Sequence, residues 1–70
     1  MNAYYRVFAT DNEYKKGYRS CVRIFKLNQK DEAILFAKKY CKDSGSGDTV
    51  EVVLYANHKA QKTIMMLRKK

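Results

Sequence analysis

Proline and tryptophan are missing from this chain of 70 residues, which has only three glycines, two cysteines and one histidine. The absence of proline and tryptophan, beside many Lys and Tyr together with Asn and Ile, fits an AT-rich coding sequence. Two cysteines are too few for the disulfide frameworks of small secreted domains, so a pair of reduced thiols is expected. One histidine and two widely spaced cysteines do not supply the four close ligands of a structural zinc site, and no metal or other cofactor is expected. Long apolar runs are lacking too. The longest, Ala33 to Ala37, falls far short of the ~20 residues that cross a bilayer, so no membrane partner is expected. The amino terminus has Arg6 in a strand-like stretch and no apolar segment with a cleavage site, which predicts a cytoplasmic protein. Acidic residues are scarce as well. Seven Asp and Glu stand against fifteen Lys and Arg, a net charge of +8 that attracts polyanions whatever else the protein does.

What is present suits a small globule. Hydrophobic residues make up 46% of the chain and charged ones 31%, enough apolar content for a core, and the length allows one domain spanning residues 1–70. A domain of this size buries only about 60% of its unfolded surface, which excludes a large enzyme with a deep pocket.

Periodicity predicts the order β-β-α-β-β. Ala3 to Thr10 is rich in aromatic and β-branched side chains and stops at the turn-forming Asp11-Asn12-Glu13. Tyr18 to Leu27 follows Gly17 and completes a hairpin. Asn28 stands where a helix N-cap belongs, with Asp31 and Glu32 at the positive end of the helix dipole. Ala33, Ile34, Phe36, Ala37, Tyr40 and Cys41 then recur at spacings of three and four, giving a helix near 29–43. Ser44-Gly45-Ser46-Gly47-Asp48 is a joint, Thr49 to Ala56 a third strand, Asn57-His58-Lys59 a turn, and Gln61 to Arg68 a fourth strand. The class is α+β: a two-layer sandwich of a four-stranded, largely antiparallel sheet with one helix on one face, the strand order left open.

One helix leaves the other face of the sheet uncovered, and parity sorts the side chains. Tyr5, Val7, Val22, Ile24, Val50, Val52, Leu54, Ile64 and Met66 are expected under the helix. Tyr4, Arg6, Phe8, Arg19, Cys21, Arg23, Phe25, Val53 and Tyr55 are expected on the open face, which places Cys21 and Cys41 on opposite sides of the sheet. A one-residue register slip would exchange the two lists.

The strings FKLNQKDEAILFAKKYCKDSG and VEVVLYANHKAQKTI resemble a family of short uncharacterised bacterial and phage proteins in which two hairpins flank one helix. That resemblance implies the β-β-α-β-β layout and carries no biochemical role onto any residue. The first hairpin and helix also look similar to the small arm-binding domains of phage integrases, which grip DNA with a sheet; this is an analogy of fold.

Charge position is the strongest functional signal. Residues 1–27 hold six basic and two acidic groups and residues 49–70 five and one, while residues 28–48 are balanced. The surplus therefore sits on the hairpins. All four arginines, Arg6, Arg19, Arg23 and Arg68, fall in expected strands, and arginine both forks onto phosphate and stacks on bases. Interleaved with Tyr4, Phe8, Phe25 and Tyr55, they match the pairing of cation and ring that single-strand binders use. Lys15 and Lys16, at the first turn beside Arg19, would grip a backbone from the side. The bland alternative is that Tyr and Phe are simply good strand formers and that surface cations keep a small protein soluble.

Catalysis has little support. His58 lies in a turn with no nucleophile near it in sequence, and Gly45-Ser46-Gly47 lacks the Lys and Ser/Thr of a phosphate-binding loop. The sequence thus predicts a non-enzymatic module that binds nucleic acid, single- or double-stranded, with weak sequence preference. The rival reading is a protein-interaction module: a homodimer through the uncovered sheet face, or an accessory subunit or phage-type inhibitor docked on an acidic surface of a nucleic-acid enzyme.

Overall fold

The computed structural model describes residues 2–12, 17–44 and 48–69. Lys15, Lys16 and most of the Ser44–Asp48 joint lie outside them. The elements are β1 (Ala3–Asp11), β2 (Tyr18–Lys26), α1 (Lys30–Asp43), β3 (Thr49–Ala56) and β4 (Lys59–Arg68), with a 3-10 turn at Leu27–Gln29 before the helix. Every strand pair is antiparallel and the order is β2-β1-β3-β4, so the expected α+β architecture holds. The two hairpins join edge to edge through β1 and β3, leaving β2 and β4 as edges. No helix among the described residues is long and apolar enough to cross a membrane.

Alternation of β-branched and aromatic side chains makes β1 and β3 half-buried strands. Tyr5 and Val7 face α1 from β1, and Val50 and Val52 face it from β3; the three valines are fully buried. At about 1.5–3 kcal/mol for each buried aliphatic side chain, these central residues carry much of the core's stability. The helix meets them with Ala33, Ala37 and Cys41, an i, i+4, i+8 stripe of small residues that lets its backbone lie close to the sheet.

The start of the helix differs from the expectation. Gln29, and not Asn28, is the N-cap of α1; its Oε1 accepts a hydrogen bond from the Lys26 N–H at 2.9 Å and secures the tight turn that follows β2. Asp31 and Glu32 do occupy the first turn. At the other end the Ser44 hydroxyl (2.8 Å) and the Ser44 backbone N–H (3.3 Å) both donate to the Cys41 carbonyl, one of the acceptors in the last turn that lacks an intrahelical partner.

Two edge strands depart from simple parity. In β2 the register steps from Val7 opposite Arg23 to Phe8 opposite Cys21, so Val22 is an extra residue at a bulge. Arg23 and Phe25 consequently lie on the helix side, and Ile24 lies on the open side, 56% exposed. All three expectations are reversed. The gain is burial of the larger side chain: Phe25 is opposite Tyr5, and its ring centre is 5.6 Å from that of Phe36 on α1. In β4 the register passes from Val52 opposite Met65 to Val53 opposite Thr63, making Ile64 the extra residue. Ile64 packs on the core as expected. Met66 does not: it turns to the open face, 60% exposed, and Met65 and Leu67 take the helix side.

A second irregularity near the start of β4 leaves Gln61 unpaired, and its side-chain amide donates to the carbonyls of Ala56 (3.3 Å) and Lys59 (3.2 Å). The strand therefore begins at Lys59, two residues before the expected Gln61. Asn57 and His58 both have positive φ, 53° and 64°, the conformation of a two-residue type I′ hairpin turn.

Candidate nucleic-acid interface

The ladders assemble four rows of side chains on the helix-free face. From β2 to β4 they read Lys26, Tyr4, Tyr55, Ala60; then Ile24, Arg6, Val53, Thr63; then Cys21, Phe8, Glu51, Met66; and at the far end Arg19, Thr10, Thr49, Arg68. Four cations and one acid share this face.

Its centre is an aromatic cluster threaded by arginine. Tyr4 and Tyr55 are cross-strand partners whose ring centres are 5.7 Å apart and whose planes are inclined by 17°, an offset stack. The Arg6 guanidinium carbon lies 4.7 Å from the Tyr55 ring centre and 5.5 Å from that of Tyr4, so one cation serves both rings. The Arg6 Nε is buried with no hydrogen-bond partner, which leaves the ring faces as the chief compensation for its desolvation. Val53, opposite Arg6, is only 3% exposed although no helix covers it. The face closes on itself there, the apolar stems and rings of its long side chains serving as cover.

Further along β1, Phe8 lies 6.1 Å from Tyr55 and is roofed by Arg19, whose guanidinium carbon is 3.7 Å from the ring centre. Arg19 ends on Glu51, with Nη2 2.5 Å from Oε1. Arg68 stands across the sheet in the same end row as Arg19.

The structure thus brings Tyr4, Arg6, Phe8, Arg19 and Tyr55 into one contiguous cluster, with Arg68 at its margin. Arg23 and Phe25 are not part of it. The β2 bulge sends them to the helix side, where the Arg23 guanidinium lies over Phe25 (5.0 Å) and Phe36 (5.3 Å) beside a cleft that Lys39, Tyr40 and Asp43 also line. Lys15 and Lys16 are outside the described residues. The sequence reading missed Lys26, which reaches this face only because of the bulge, and the role of Glu51, whose partner depends on strand order.

The remaining chemistry is dispersed. Cys21 is exposed on the open face and Cys41 is buried against the other side of the sheet, both as free thiols. Among the described residues no three His, Cys, Asp or Glu side chains gather in one place. Comparison with family models, with curated proteins and with solved structures finds no match to this chain.

Proposed function

We propose that the protein binds nucleic acid on the helix-free face of its sheet, as a non-enzymatic module. The observation that carries this reading is Arg6 lying against Tyr4 and Tyr55 on an uncovered face that also bears Arg19, Lys26 and Arg68. Cations attract phosphates and release their counterions, and rings offer their faces to bases; neither contact distinguishes one base from another, so sequence preference is weak. The test is a titration with short single- and double-stranded oligonucleotides at several salt concentrations. Affinity falls linearly against salt on a log–log plot, and substitutions on the sheet face weaken it more than substitutions of Lys38 or Lys39 on α1. Equal losses from both sets would reduce the effect to diffuse attraction by a +8 chain.

One observation favours a second reading, a homodimer. Ile24 and Met66, at opposite margins of the same face, are 56% and 60% exposed. Apolar side chains rimming a patch suit a protein contact. A mass measurement in solution, with and without oligonucleotide, separates the two.

A further inference from the structure

Phe8 is 7% exposed on a face that no helix covers, and its shelter is an ion pair. Arg19 reaches from β2 across β1 to Glu51 on β3, passing over the ring. Glu51 is the one acid among the described strand positions of this face, and its side chain is 12% exposed against 44% for Arg19. Solvent therefore reaches the cation more readily than the carboxylate.

We propose that Glu51 stands in for a phosphate: it holds Arg19 down over Phe8, and an incoming single strand takes Arg19 onto its own phosphate and uncovers the ring for a base. This rests on the reading of the face as a nucleic-acid surface. A carboxylate and a phosphodiester present the same paired oxygens to a guanidinium fork, so the exchange preserves the geometry of the contact. A part-exposed ion pair is weak enough to yield to a second oxyanion. Once uncovered, Phe8 continues the ring row through Tyr55, 6.1 Å away, to Tyr4. Only a strand with unpaired bases can use that row, because a duplex hides the base faces in its own stack.

The experiment titrates the full chain, Glu51→Gln and Asp43→Asn with a short single-stranded oligonucleotide and with its duplex, and follows the Arg19 Nε–Hε resonance by NMR. Asp43→Asn removes the same charge from the helix, away from this face. Glu51→Gln is expected to bind the single strand about two- to fivefold tighter, with a smaller change for the duplex and for Asp43→Asn. In the unaltered chain the Arg19 resonance is expected to leave the ring current of Phe8 as oligonucleotide is added. If Glu51→Gln and Asp43→Asn behave alike, or if Arg19 stays in place while the Tyr4 and Tyr55 signals shift, the cover is fixed and this proposal fails although the binding surface stands. If neither the unaltered chain nor Glu51→Gln binds either oligonucleotide, both fail together.

Discussion

Arg6 rests its guanidinium 4.7 Å from the centre of the Tyr55 ring and sits opposite the buried Val53 on the neighbouring strand. It is at once a cation of the open face and part of its cover. Arg6→Ala is expected to flatten the salt dependence of oligonucleotide binding by about one phosphate contact and to lower stability by about 1 kcal/mol through lost packing. Tyr55→Ala or Tyr4→Ala instead costs roughly 1–3 kcal/mol of affinity for each stacked base with the slope nearly unchanged, since a ring carries no charge. Binding isotherms over a salt series, beside chemical denaturation of each variant, separate the two signatures.

Arg23 provides the internal contrast. Parity assigns it to the same face as Arg6, whereas the bulge at Val22 turns it toward Phe25 and Phe36. Arg23→Ala should leave the salt slope close to that of a helix substitution such as Lys39→Ala. A loss equal to that of Arg6→Ala would show that the ligand wraps around the β2 edge.

The same bulge has a stability signature in adjacent residues. Phe25 is 6% exposed and Ile24 is 56% exposed. Phe25→Ala is expected to cost about 3–5 kcal/mol, the range for an aromatic removed from a core. Ile24→Ala should stay within about 0.5 kcal/mol, as for a surface position. Urea denaturation of the two variants measures the difference, and the opposite ranking would restore an uninterrupted β2.

Helix and strands were legible because their periods differ: Ala33, Phe36, Ala37 and Tyr40 cannot share a face at a period of two, nor Val50, Val52 and Leu54 at 3.6. In β1 and β3 alternation also assigned every face correctly, since their mutual ladder is unbroken. It failed in β2 and β4, where Val22, Ile64 and Gln61 look like ordinary strand residues. Whether such a residue bulges is decided by what the side chains beyond it can bury, as Phe25 does against Phe36. The open-face cluster followed from parity for Tyr4, Arg6, Phe8, Arg19 and Tyr55. The meeting of Arg19 with Glu51 did not, because it requires β1 to lie between β2 and β3, and strand order is a tertiary property.

Thiol reactivity reports the two faces separately. Cys21 is exposed, and Cys41 is 7% exposed on the sheet-facing side of α1. Without reductant, a neutral thiol reagent should label one cysteine in the folded chain and two after denaturation, with Cys21 identified as the first by mass spectrometry of peptides. Rapid labelling of Cys41 in the folded state would mean that α1 detaches readily from the sheet.

The β3–β4 turn holds a removable strain. Asn57 at φ 53° and His58 at φ 64° are both of types enriched in the left-handed region, but a type I′ turn favours glycine after Asn, and His carries a Cβ that glycine does not. A left-handed non-glycine residue costs about 1–2 kcal/mol. Glycine removes that cost but gives up roughly 0.5–1 kcal/mol in unfolded-state entropy. His58→Gly is therefore expected to stabilise the protein by up to about 1 kcal/mol, shifting the denaturation midpoint upward at unchanged slope. The exposed imidazole makes no hydrogen bond or ion pair with the described residues, so little is lost on the other side. His58→Val should act in reverse, because a β-branched side chain resists positive φ. A midpoint lowered by His58→Gly would mean that the hairpin closes on a different pair of residues.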